Sequence, residues 1–202
     1  MKTRTKALLL ALSAVLLVVG TVFATMAYLT STSDVVTNTF TVGKVNITLD
    51  EAPVNLYGEV VAGDRRITND YKLLPGHTYT KDPIIHVKGG SEVCYLFIKV
   101  TNDIAGIEKA TQTVADQIKA NGWTDLGNGI YGKATPIDAR AVAEDEFVDV
   151  AVFKSINIAT DADVAAYAGK TITVQACAIQ ADGFNDMNEA WTIGFNSTFP
   201  TK

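Results

Sequence analysis

Hydrophobic and polar positions follow three rhythms along this chain. The first is unbroken: after the basic start Met1-Lys-Thr-Arg-Thr-Lys6, residues Ala7 to Ala27 are almost wholly apolar. The second is the strand-like run between turn signals, alternating in part. It appears in Thr37–Leu49 (Phe40, Val42, then Val45, Ile47, Leu49, with Gly43-Lys44 shifting the phase), in Arg65–Leu74, in Ile84–Lys88 after Pro83, and in Lys170–Gln180. Alternation at period two predicts half-buried strands, and an interior glycine with a phase shift predicts a bulge or bend. Glu92–Asn102 is apolar on both faces, which predicts a central strand covered on each side. Glu146–Ile156 reads as a mostly buried strand, and Trp123–Lys133 as a hairpin around Gly127-Asn-Gly129. The third rhythm is helical and weak. Ile104–Asn121 places Ile107, Ala110, Ala115 and Ile118 loosely at helical spacing. A short helix capped by Asp161 and ended by Gly169 is expected, and another around Met187–Trp191.

Seven or eight strands with two or three short helices, and no alternation of strands with long helices, predict a mainly β fold. The expected architecture is an antiparallel β-sandwich, preceded by an N-terminal signal helix. No fixed-period repeat and no internal linker interrupts residues 28–202, which read as a single domain. Pro75-Gly76 is a type II turn signal at the end of the Arg65–Leu74 run.

The apolar N-terminal run approaches the roughly 20 residues of a membrane-spanning helix, so its length favours an anchor. Three local features favour removal. Gly20 loosens the helix late in the run, Thr25-Met-Ala27 places small residues at −3 and −1, and no basic stop-transfer cluster follows before Lys44. Cleavage between Ala27 and Tyr28 is expected, with membrane contact only through the uncleaved segment 1–27.

The stretch running from this apolar segment into AYLTSTSDVVTNTFTVGKVNITL resembles the signal peptide and mature N-terminus of SipW-processed proteins, the TasA/camelysin family of Gram-positive bacteria. Leu73-Leu-Pro-Gly-His-Thr-Tyr-Thr-Lys-Asp-Pro83 is similar to that family's L-x-P-G-x-x-x-T-K-D segment, carried here by Pro75, Gly76, Thr80, Lys81 and Asp82. Ser91–Val100 resembles the strand that follows. The likeness covers residues 1–102; the remainder agrees only in style. It implies a jelly-roll sandwich, processing by a SipW-type signal peptidase, export to the cell surface or biofilm matrix, and assembly into fibres.

Charge narrows the partners. The net charge is −5, and removal of Lys2, Arg4 and Lys6 with the signal segment takes it to −8. Such a chain has no basic footprint for nucleic acid. Candidate chemistry is sparse. The two histidines, His77 and His86, match no H-E-x-x-H spacing, so no metal site is expected, although camelysin raises a metal-dependent endopeptidase as an alternative. No G-x-S-x-G elbow and no phosphate-cradling loop occurs, so no catalytic or cofactor-binding residue is expected. Glu144–Glu146 with Asp149, and Asp182–Glu189, read as solvated acidic rims rather than calcium loops. Cys94 alternates with an apolar set and Cys177 with a mixed one; whether they pair is left open.

The function expected from all this is a secreted, non-enzymatic structural protein. Freed by cleavage, the extended segment 28–39, with Tyr28, Val35, Thr37 and Thr39, is suited to pair with a sheet edge, either folding back on its own domain or adding to the next copy, where the contact propagates head to tail. The alternatives are a camelysin-like secreted metalloendopeptidase and a membrane-anchored surface binding module.

Overall fold

The computed structural model describes residues 3–29 and 43–200, the side chains of 20–29 excepted. It forms two units, Met1–Thr41 and Val42–Lys202. The expected donor segment and the scissile Ala27–Tyr28 side chains lie outside what is described.

The first unit holds helix α1, Thr3–Leu29. Leu8, Leu10, Leu12, Leu16 and Leu17 are all exposed on it, so apolar side chains point to every side. A helix apolar all round has no polar face to offer water. Among the described residues, no helix is long and apolar enough to cross a membrane.

The second unit is mainly β, with nine strands among the described residues, all paired antiparallel. One sheet has the order β1-β3-β7, formed by Ile47–Asp50, Ile84–Lys88 and Phe147–Ala151. A second has the order β5-β6-β4-β9, formed by Trp123–Gly127, Ile130–Lys133, Cys94–Asn102 and Ile172–Gln180. A two-stranded ribbon pairs β2 (Thr78–Thr80) with β8 (Ser155–Asn157). The helices are short: α2 (Val114–Ala120), and α3 (Met187–Glu189), which widens into a π turn over Ala190–Gly194.

β4 is the mechanical centre. It is apolar on both faces, as its sequence requires, and both faces are covered. Cys94, Leu96, Ile98 and Val100 join Ile85 and Val87 of β3, Tyr79 of β2 and Ile118 of α2 in the main core. Tyr95 and Phe97 point the other way, into a smaller cluster with Met187, Trp191 and Phe199. Gly132 on β6 makes that second layer possible, because a Cβ there would lie 2.4 Å from the Met187 sulfur. α2 carries a capping box, in which Thr113 accepts from the Asp116 N–H and Asp116 returns a bond to the Thr113 N–H.

Four local expectations are corrected. Arg65–Leu74 is not a strand; only Arg66 bridges to Glu51, because side chains take over the pairing there, as described below. Glu146–Ile156 is not one buried strand. β7 is an edge strand with Phe147 half exposed, and the chain turns at Val152-Phe153 to start β8 in a different sheet. The long helical expectation over Ile104–Asn121 reduces to a single 3₁₀ turn, Ala105–Ile107, and α2. The short helix near residue 164 is a 3₁₀ turn, Val164–Tyr167, capped by Asp163 rather than Asp161.

Candidate functional site

An open groove of about 1410 Å³ lies between β1 and β9. Among the described residues, each of these strands pairs on one side only, β1 with β3 and β9 with β4, so each presents a free edge. Leu49 and Leu73 line the groove on one side, and Ile172, Val174 and Ala176 on the other. All five pack against the main core while remaining only partly buried. Among the described residues, no strand covers these apolar side chains on this side.

The wall next to β1 is polar and rigid. Asp50 and Glu51 are neighbours in an extended chain, so they point to opposite faces. Glu51 points inward and is buried. Its Oε2 accepts from Lys81 Nζ at 2.6 Å and its Oε1 from Asn69 Nδ2 at 2.9 Å. Asn69 completes a fork, donating to the Ala52 carbonyl at 2.9 Å and accepting from the Val54 N–H at 3.1 Å. An asparagine side chain so placed does for the backbone at 52–54 what a neighbouring strand would do, which is why no strand forms at 65–74. The Tyr71 hydroxyl donates to the Thr80 carbonyl, and burial pushes its ionisation well above the usual tyrosine value.

Asp50 belongs to a second network on the opposite face. Arg65 Nε donates to its Oδ1, while Arg65 Nη1 reaches Asp82 Oδ2 at 3.1 Å. Asp82 Oδ1 accepts from the Ala52 N–H at 2.7 Å. His86, in the middle strand, spans the sheet: Nε2 lies 3.0 Å from Asp50 Oδ1 on β1, and Nδ1 lies 2.6 Å from Asp149 Oδ1 on β7. Burial alone would lower the His86 pKa, but bonds to two carboxylates and their charges raise it above 6.5. Burial would likewise raise the Asp50 carboxyl, yet hydrogen bonds from Arg65 and His86 hold it below the usual value.

The residues singled out beforehand can now be placed. Pro75 and Gly76 form an exposed turn, Gly76 at φ +71°. Thr80, Lys81 and Asp82 are bonded into the latch just described, and none is poised on a substrate cavity of its own. His77 contacts the Tyr57 carbonyl through Nε2 and the Tyr79 ring, whereas His86 sits between two aspartates; they share no ligand. Among the described residues, no group of three or more His, Cys, Asp and Glu side chains is arranged to hold a metal ion. Cys94 and Cys177 are free thiols on opposite faces of one sheet, since Cys177 pairs across from Phe97. Burial raises them to about 11 and about 12, which keeps both protonated and unreactive. In the acidic stretch 182–189, Asp186 caps α3 and Glu189 accepts from the Asn185 N–H. Asp149 leaves its acidic neighbours for His86.

The sequence reading missed the roles of Glu51, Asn69, Arg65 and Asp50. A parity count along β1 would have put Asp50 and Glu51 on opposite faces, but not their partners, which lie 15 to 36 positions away. Set against known proteins, the chain matches no family profile, no curated protein and no solved structure. Fold and site together define a mainly β protein whose β1 and β9, among the described residues, each have one unpaired edge beside a network of charged side chains.

Proposed function

We propose that this chain is an exported, non-enzymatic structural protein of the cell surface or biofilm matrix, related to the TasA/camelysin proteins. In this reading, residues 28–202 form one jelly-roll-like domain, and α1 is a signal helix removed by a SipW-type signal peptidase between Ala27 and Tyr28. The freed segment Tyr28–Thr39 enters the β1/β9 groove of the next copy and adds a strand there.

The observation that carries the reading is the groove itself. Two free edges face a gap lined by partly exposed core residues, and a strand laid against either edge gains main-chain hydrogen bonds while covering apolar side chains. The segment has the composition for it: Val35, Thr37 and Thr39 alternate, Asp34 is its one charge, and no proline interrupts it. Because donor segment and acceptor groove are different surfaces, the contact repeats head to tail and builds a filament. The apolar circumference of α1 supports its reading as a segment meant for lipid and the export machinery rather than for water.

Deleting Tyr28–Val36 tests the reading. Electron microscopy and size-exclusion chromatography are expected to show a folded, soluble monomer that makes no filaments. Filaments of unchanged morphology from the deletion would overturn it. N-terminal sequencing of the secreted form is expected to begin at Tyr28; a start at Met1 would favour a membrane-anchored binding module instead.

A further inference from the structure

We propose that Glu51, Asn69 and Lys81 form a self-processing site that joins the Lys81 amine to the Asn69 side chain as an intramolecular amide. The site does not depend on the assembly reading above.

The three groups have the three roles such a reaction needs. Lys81 supplies the nucleophile, the Asn69 carboxamide the electrophile, and Glu51 the proton carrier. A single carboxylate touches both reacting nitrogens: Oε2 holds Lys81 Nζ at 2.6 Å and Oε1 holds Asn69 Nδ2 at 2.9 Å. The Val54 N–H donates to Asn69 Oδ1 at 3.1 Å, where it polarises the carbonyl and faces the negative charge that develops on that oxygen. The Ala52 carbonyl accepts from Nδ2 at 2.9 Å and fixes the plane of the amide. The side chains of Lys81 and Glu51 are 11% and 6% exposed. Transfer of a proton from the Lys81 ammonium to the Glu51 carboxylate it touches yields the neutral amine that can attack.

The step balances without any oxidant or co-reactant. The Nζ lone pair forms a bond to Asn69 Cγ, and the Cγ–Nδ2 bond breaks. Of the three protons on the Lys81 ammonium, one stays on the new amide nitrogen. Glu51 carries the other two in turn to Nδ2, which leaves as ammonium, and Glu51 returns to a carboxylate. Holding both nitrogens on one carboxylate lowers the entropic cost of bringing amine and amide together. Once formed, the bond would close the irregular stretch 69–81 on itself. It would also fix the polar wall of the groove, which all three residues line.

The test is intact-mass spectrometry and tryptic mapping of the purified full-length chain, judged against the mass expected from its own N-terminus. Loss of one ammonia, together with a branched peptide joining the Asn69 and Lys81 segments, is expected. Glu51→Gln keeps the side-chain shape but cannot carry a proton, and Lys81→Arg keeps the charge opposite Glu51 but is no nucleophile. Both are expected at full mass, with Lys81→Arg retaining the native circular dichroism spectrum. A folded wild-type chain at full sequence mass would overturn the proposal. So would loss of ammonia without a branched peptide, loss of water with Lys81 joined to Glu51, or a bond that survives in Glu51→Gln.

Discussion

β4 and the stretch between β1 and β3 belong to one unit, yet they are assembled from opposite materials. Cys94 through Ile98 are buried in sequence, all paired with β9 and, at Phe97 and Ile98, with β6 as well, and the cohesion is apolar area. From Asp50 to Asp82 the chain makes little regular structure. There, cohesion comes from a buried ion pair, an asparagine fork and an arginine that bridges two aspartates. A strand satisfies its backbone through its neighbours and is free to spend its side chains on packing. An irregular segment has no such neighbours, and its buried N–H and C=O groups must be met by side chains. Leu56, Tyr57, Val60 and Ile67 accordingly remain exposed in the irregular stretch.

Truncation in the sheet is expected to have the largest effect. Phe97→Ala empties the smaller cluster beneath Trp191 and Phe195 and should cost about 4 kcal/mol. Urea unfolding would measure it, and the loss should not change with salt. A loss below about 1 kcal/mol would mean that the two apolar layers are not what holds β4.

Glu51→Ala strikes the other region. Relative to the chain without the Asn69–Lys81 bond, it leaves the Lys81 ammonium buried without its carboxylate and removes one of the two acceptors of the Asn69 amide, for an expected loss of about 3 kcal/mol. Hydrogen exchange should rise first in residues 51–82 and last in β4. Because Phe97 and Glu51 share no partner, the two losses should add to within about 0.5 kcal/mol in the double variant. A strong interaction between them would dissolve the distinction between apolar and polar regions.

The smallest effect concerns the proton on His86. A neutral imidazole has one N–H and can satisfy only one of Asp50 and Asp149; the imidazolium satisfies both. Its raised pKa means that this contribution is fully present below the ordinary value of 6.5 and is lost as pH rises through the folded value. Asp50, held low, works in the opposite sense: its contribution is present above 3.8 and lost as pH falls through its folded value. Stability should therefore peak in mild acid, between the two. His86→Gln should remove the decline on the alkaline side, read from urea midpoints across the range. An unchanged pH profile would show that the clamp across β1, β3 and β7 contributes nothing.

Much of the strand content could be read without coordinates. Pro83 opened β3, two apolar faces marked β4 as central, the glycines around Asn128 set the β5–β6 hairpin, and Lys170–Gln180 gave β9. The Pro75-Gly76 turn was legible because only glycine readily takes the positive φ found there. Where alternation was imitated by chance, as in Arg65–Leu74, the reading failed, since nothing local reveals that Asn69 will cap the backbone of residues 52–54. The candidate site was the least legible part. Thr80, Lys81 and Asp82 stood out as a segment, but their partners Tyr71, Glu51 and Arg65 carry no local mark of the pairing.

By itself, then, the sequence determined what depends on near neighbours: an all-apolar first helix, the period-two strands and the turns. The tertiary structure alone decided which edges stay open, that β1 and β9 leave a groove between them, and that a glutamate, an asparagine and a lysine meet on its wall. Strand order and side-chain meetings are set by contacts between residues far apart in the chain. Those contacts come from the global competition to bury apolar area and satisfy polar groups, which no local window contains.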